Sequence, residues 1–179
     1  MKGVFKKIDG EHKEFIFNAR KVFKKNIPPQ KGTLVKASKW YKDADVSLAL
    51  ENLVISAGEI LYNNGFKIDL DTWYVNFHRY DMEGEREVRK IVWHTDDISY
   101  DGTSSVGAPV HTLIAYLEKE MAIKGGNLML KSDDGKLTQV EYIKTGTIIL
   151  MKGNILHQPE PMGGYGTRSS MIFQFKRMP

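Results

Sequence analysis

A chain of 179 residues is long enough for one domain with a substantial core and short for two. Hydrophobic residues are 41%, charged residues 27% and the formal charge +4, the balance of an ordinary soluble globular protein. There is no cysteine, which excludes disulfides, thiolate metal sites and a cysteine nucleophile.

The elements follow in chain order. Residues 1–42 are basic, with Lys6, Lys7, Lys13, Arg20, Lys21, Lys24, Lys25 and Lys31 crowded together. Such a run is ordinarily a solvated face, with a nucleic-acid or acidic partner as the less favoured reading. Strands are predicted near 3–8 and 13–18, and extended or loop structure around 33–40, after the Pro28-Pro29 break. From 46 to 63, Val46, Leu50, Leu53, Val54, Ala57, Ile60 and Leu61 fall at helical spacing. Asp45 could cap this helix, and Asn63-Asn64-Gly65 would stop it. Its apolar stripe is expected to pack on a sheet.

Beyond Gly65 the pattern turns to strands, at 72–80 and 88–94 with a turn at 82–85 between them. A loop at 97–109 leads to an apolar strand at 110–118. Gly125-Gly126 precedes a strand at 127–131, Asp133-Asp134-Gly135 makes a turn, and strands follow at 138–143, 147–151 and 169–175. Short strands with one flanking helix predict a mainly β (α+β) fold, a sandwich or jelly roll. The whole of 1–179 reads as one domain, with 1–71 flanking a core at 72–177. No apolar run is long enough to span a bilayer, and Asp9 and Glu11 stand where a signal peptide would be apolar. With the lack of cysteine, these features fit a cytoplasmic protein.

The chemistry concentrates in Trp93-His94-Thr95-Asp96 and two later residues, His157 and Arg168. Residues two apart on an extended chain point the same way, so His94 and Asp96 can reach one ion. A second imidazole from His157 would complete a two-His, one-carboxylate set with an open face, as in non-haem Fe(II) oxygenases. Each piece alone has a plainer reading. His94 and Asp96 could be a surface pair, His157 a structural histidine and Arg168 a surface charge. His78 and His111 lack a motif partner and are expected to line the sheet or pocket, and Trp93 to be a core or pocket-wall aromatic.

Taken together, His94-x-Asp96, Gly125-Gly126-x-Leu128, Gly146, His157 and Arg168-x-Ser170 resemble the Fe(II)- and 2-oxoglutarate-dependent dioxygenase superfamily, over roughly 72–177. The resemblance implies a double-stranded β-helix core and His94, Asp96 and His157 as metal ligands and catalytic centre. It implies Fe(II), 2-oxoglutarate and O2, with ascorbate as reductant. It also implies oxidative decarboxylation of 2-oxoglutarate to succinate and CO2, coupled to hydroxylation of a second substrate. Arg168, a planar fork that stays charged, would clamp the distal carboxylate of 2-oxoglutarate, with Ser170 beside it. Tyr80 would contact the same co-substrate, or else be a core tyrosine.

Gly125-Gly126-x-Leu128 and the short chain look most like the small prolyl-hydroxylase-like branch, although those enzymes commonly carry Lys where this chain has Arg168. The implied substrate is an amino acid, free or in a peptide. A nucleic-acid demethylase of the AlkB type is disfavoured, because His78-Arg79-Tyr80 replaces Asn-x-Tyr and Arg177 comes too late to be the second arginine of the last strand. A cupin-like metal protein that is not an oxygenase would not need Arg168-x-Ser170. Specificity is expected in the segments 82–89, 97–108 and 158–167. Both imidazoles must be neutral to bind metal, so loading should weaken in acid.

Overall fold

The computed structural model describes residues 5–27, 40–41, 47–84, 92–97, 106–131 and 137–179. The elements are β1 (Phe5–Ile8), α1 (Lys13–Asn26), β2 (Trp40–Tyr41), α2 (Leu48–Asn63), β3 (Ile68–Gly84) and β4 (Val110–Lys119), then β5 (Ile123–Gly125), β6 (Leu128–Lys131), β7 (Leu137–Glu141), β8 (Ile148–Lys152), β9 (His157–Pro159) and β10 (Met162–Arg177).

Among the described residues two helices flank the sheets, where one was expected. The strand predicted at 13–18 is the start of α1. Phe15, Ile16, Ala19, Val22 and Phe23 recur at helical spacing and are buried, while Lys13, Lys21, Lys24 and Lys25 face solvent. Four lysines of the basic run are thus the polar side of an amphipathic helix, whereas Lys6 and Lys7 lie on β1, Arg20 donates to the Leu117 carbonyl and Lys31 lies outside the described residues. In α2 the cap is Ser47, whose hydroxyl accepts from the Leu50 amide at 3.4 Å. The expected cap, Asp45, lies outside the described residues. Gly65 adopts a φ of +86° just past Asn64, as a helix stop requires.

The large sheet runs β1-β8-β4-β10-β3-β2, with β5 also paired to β10, and a second sheet runs β7-β6-β9. Every pairing is antiparallel. Successive side chains alternate between the two faces of a strand, and this assigns the layers. Val75, Phe77, Leu113, Ala115, Leu150, Met171, Phe173 and Phe175 face the helices and share one core with Phe15, Phe23, Leu53 and Leu61. Ile114, Tyr116, Ile149 and Met151 face the other way and pack on Leu128 and Leu130 of the small sheet. Two antiparallel sheets with helices on the outer face of one match the expected jelly roll.

Several boundaries move. β3 continues through Met82 to Gly84, so 82–84 of the turn expected at 82–85 are strand, and Glu85 lies outside the described residues. The long partner strand β10 supplies ladder bonds that extend it. The segment 158–167, expected as a specificity loop, is instead the end of β9 and the first turn-free stretch of β10, paired to both β3 and β5. The close approach depends on glycine: at Gly164 (φ +104°) an added Cβ would lie 2.1 Å from the Ala122 carbonyl oxygen. Most of the strand expected at 88–94, most of the loop at 97–109, the turn at 133–135 and residues 33–39 lie outside the described residues.

Candidate active site

His94 and Asp96 enter from the segment before β4, and His157 opens β9. Backbone bonds lock the two segments together. The His94 amide donates to the His157 carbonyl at 3.1 Å, and the His157 amide returns to the His94 carbonyl at 2.9 Å. The Asp96 and Asp97 amides both donate to the Gly153 carbonyl, at 2.7 and 3.1 Å. Asp97 then accepts the Val110 amide at 2.8 Å, fixing the loop to the start of β4. An added Cβ on Gly153 would fall 2.2 Å from the Asp97 carboxylate, so this turn needs glycine.

One ligand atom from each of His94, Asp96 and His157 lies within 4.8 Å of the others, the only such group among the described residues. The imidazole rings are 4.3 Å apart and tilted. Their hydrogen bonds set the tautomer. The Nδ1 of His94 lies 3.0 Å from the Val92 carbonyl and that of His157 2.9 Å from the Ile155 carbonyl. A carbonyl only accepts, so each Nδ1 carries the proton and each Nε2 keeps its lone pair for a cation. His157 Nε2 stands 3.8 Å from Asp96 Oδ1. Burial pushes the His157 pKa down, against the opposing pull of Asp96, which favours the neutral ligand form. The other carboxylate oxygen, Asp96 Oδ2, accepts from the Thr112 hydroxyl at 2.6 Å. That bond leaves Oδ1 directed at the histidines. Two imidazoles anchored through Nδ1 and one oriented carboxylate fit the facial set that holds Fe(II).

Arg168, from β10, faces the same interior and is only 2% exposed. Its guanidinium lies 4.9 Å from the Tyr116 ring centre and 5.8 Å from that of Tyr80. Its Nε meets no acceptor among the described residues. A buried cation with an open donor fits an anionic ligand. Gly126 makes room for its stem: with φ +70°, an added Cβ would stand 3.3 Å from Arg168 Cδ and 2.8 Å from the Met162 side chain. Ser170 is buried on the same face, in register with His78 and Tyr116.

Other expected residues fall elsewhere. His78 lines the inner face edge-on to Tyr80. His111 points to the helix side, edge-on to Phe66 at 5.1 Å, with its pKa pushed down to about 4 by burial and by Arg177 and Lys152. Trp93 is half-buried beneath the Lys131 ammonium.

The sequence reading missed Thr112, Tyr116, Lys119, Asn127 and Asp97. Lys119 is the register partner of Arg168 and adds a second cation, its pKa lowered by burial and then by Arg168. Asn127 accepts from Lys119 at 3.3 Å and from the Ile143 amide at 3.1 Å, and donates to Glu160 at 2.7 Å. It is the variable position of Gly125-Gly126-x-Leu128, which the motif passes over. Thr112 had no local signal, because its partner is sixteen residues away.

No protein-family model and no curated protein sequence matches the chain. Solved structures do. A prolyl-4-hydroxylase from Pseudomonas putida aligns with a TM-score of 0.64 at 14% identity, covering 98% of this chain and 93% of that one. A prolyl hydroxylase from Trichoplax adhaerens, solved with a hypoxia-inducible-factor peptide fragment, gives 0.65 at 13%, covering 98% and 84%. HygX from Streptomyces hygroscopicus, solved with nickel and 2-oxoglutarate, gives 0.61 at 13%, covering 97% and 83%. The chain therefore has the fold of the prolyl hydroxylases and other 2OG-Fe(II) oxygenases, with its own substrate unassigned.

Proposed function

We propose that this chain is an Fe(II)- and 2-oxoglutarate-dependent dioxygenase that hydroxylates an amino acid, free or within a peptide. The observation that carries the reading is the convergence of His94, Asp96 and His157 on one point, with the buried Arg168 turned into the same interior. Neither feature alone distinguishes an oxygenase from another metal-binding jelly roll. Together they supply a metal site and a diacid clamp. The prolyl hydroxylase structures on the same fold support an amino-acid substrate, by analogy of fold.

His94 and His157 would hold the metal through Nε2 and Asp96 through Oδ1, with Thr112 holding the second carboxylate oxygen. Arg168 would take the distal carboxylate of 2-oxoglutarate in a bidentate pair, oriented by Tyr116 and flanked by Tyr80 and Ser170. Lys119 would add to the positive field there. When bound, Fe(II) with 2-oxoglutarate and O2 supplies the oxidising power for C–H hydroxylation, with succinate and CO2 as co-products. The apolar cluster of Ile114, Ile149 and Met151, with Ile172 packed against it, lies on the same inner face and would help to keep water from the reacting centre. Residues 1–179 act as one unit in this reading, because β1 completes the sheet that bears Arg168.

Succinate formation from 2-oxoglutarate tests the proposal, with Fe(II) and ascorbate and a panel of amino acids, peptides and oligonucleotides. Stimulation by an amino acid or peptide is expected. No 2-oxoglutarate binding and no turnover would refute an oxygenase, and stimulation by oligonucleotides alone would move the substrate to nucleic acid.

A further inference from the structure

Two buried side chains of the inner face have oxygens that the metal centre and the diacid clamp do not use. Asn76 on β3 is 9% exposed and Gln174 on β10 is 8% exposed. Neither the Asn76 Oδ1 nor the Gln174 Oε1 meets a hydrogen-bond donor among the described residues. A buried carboxamide oxygen left unmet loses its water and gains nothing, so it calls for a donor, and beside a candidate metal centre a bound ligand is one source of it.

Register locates the pair. Gln174 is opposite Thr112, and Thr112 holds the Asp96 carboxylate. Gln174 therefore stands level with the metal centre, one strand away. Asn76 is opposite Ile172, which makes it the diagonal neighbour of Gln174 on the same face. Along β10 the inward positions run Arg168, Ser170, Ile172 and Gln174. The diacid clamp is at one end of this row and Gln174 at the other, with Asn76 on the adjacent strand opposite Ile172. A co-substrate reaching from Arg168 to the metal leaves the Gln174 end for the molecule that is oxidised.

Resting on the oxygenase reading above, we infer that Asn76 and Gln174 form the substrate subsite and receive a nitrogen that bears two or more hydrogens. Two neutral acceptors on adjacent strands require two donated hydrogens. One ammonium, guanidinium or primary amide brings both to neighbouring oxygens, whereas one hydroxyl brings only one. A prolyl residue within a peptide brings none, because its nitrogen carries no hydrogen. The subsite therefore selects an amine- or guanidine-bearing amino acid over peptidyl proline, although the fold is shared with prolyl hydroxylases.

The test uses the full chain loaded with Zn(II) and 2-oxoglutarate, and ligand-observed NMR with L-lysine, L-arginine and N-acetylproline dimethylamide. Succinate formation with Fe(II) is measured alongside. Lysine or arginine is expected to bind and to stimulate turnover, and the capped proline to do neither. Gln174→Met and Asn76→Leu should each raise KM for that amino acid about tenfold, which corresponds to about 1.4 kcal/mol. Gln174→Glu keeps the side-chain shape and should lower KM for a cationic probe, so a misfolded Met or Leu variant does not decide the matter. Binding of 2-oxoglutarate without binding of either amine probe, preference for the capped proline, or an unchanged KM in Gln174→Glu and Gln174→Met would overturn this inference alone. Failure of the wild type to bind 2-oxoglutarate would overturn the oxygenase reading and this one with it.

Discussion

Asp96 does two jobs with two oxygens, one turned to the histidines and one held by Thr112 at 2.6 Å. Asp96→Ala removes the one carboxylate of the proposed ligand set, so metal affinity and turnover should be lost while far-UV circular dichroism stays that of the wild type. Retained metal binding would remove Asp96 from the ligand set. Thr112→Val keeps the shape of β4 but frees Oδ2 to rotate. Support of this kind is worth roughly 10–100-fold in metal affinity, and titration with Mn(II) should read a loss in that range. Arg168→Lys keeps the charge and loses the planar fork. Calorimetry should then show weaker 2-oxoglutarate binding with Mn(II) affinity unchanged, and equal 2-oxoglutarate affinity would refute the clamp.

At the scale of elements, β10 carries most of the design. Its even-numbered positions place Arg168, Ser170 and Gln174 inside the jelly roll, and its odd-numbered positions place Met171, Phe173 and Phe175 against the helices. A one-residue slip would exchange the two sets, so burial of the phenylalanines holds the site residues in register. Phe173 is fully buried, with Phe15 of α1 at 5.8 Å. Phe173→Ala should cost about 3–5 kcal/mol in denaturant unfolding, and a loss below about 1 kcal/mol would mean that α1 contributes little to the core. Gly126→Ala meets both a positive φ and the stem of Arg168. A loss of about 1–3 kcal/mol in stability is expected, together with weaker 2-oxoglutarate binding.

Across the whole molecule, two buried histidines set how stability answers pH. On the helix side His111 has its pKa near 4, between Lys152 and Arg177, while the unfolded chain protonates near the ordinary 6.5. The native state therefore resists a proton that the unfolded state accepts. Stability should be full above about pH 6.5, fall as pH drops towards 4, and level off below. This one group contributes a slope of at most about 1.4 kcal/mol per pH unit. His157, held neutral by burial in the metal-free chain, adds to the same trend. The check is the difference between wild type and His111→Leu in urea unfolding at several pH values. Equal slopes would mean that His111 does not couple to folding.

The local signals in the chain were those of short range. The spacing of Leu50, Leu53, Val54, Ala57 and Leu61 dictated α2, and His94-x-Asp96 with His157 named three side chains whose ligand atoms the fold brings within 4.8 Å of one another. The 13–18 stretch misled because Phe15 and Phe17 alternate like a strand over a few residues, and only the longer period through Val22 and Phe23 reveals a helix. The two residues following Met82, and the glycine-rich start of β10, looked like turns because ladder bonds to a distant strand leave no trace in local composition. The supports of the site were decided by tertiary structure alone. Thr112 beneath Asp96, Lys119 beside Arg168, and the unmet oxygens of Asn76 and Gln174 all arise from strand register, which joins residues far apart in the chain. A sequence can name the groups that do chemistry by their type, but which neighbours orient them is fixed only when antiparallel strands choose their partners and bury one face.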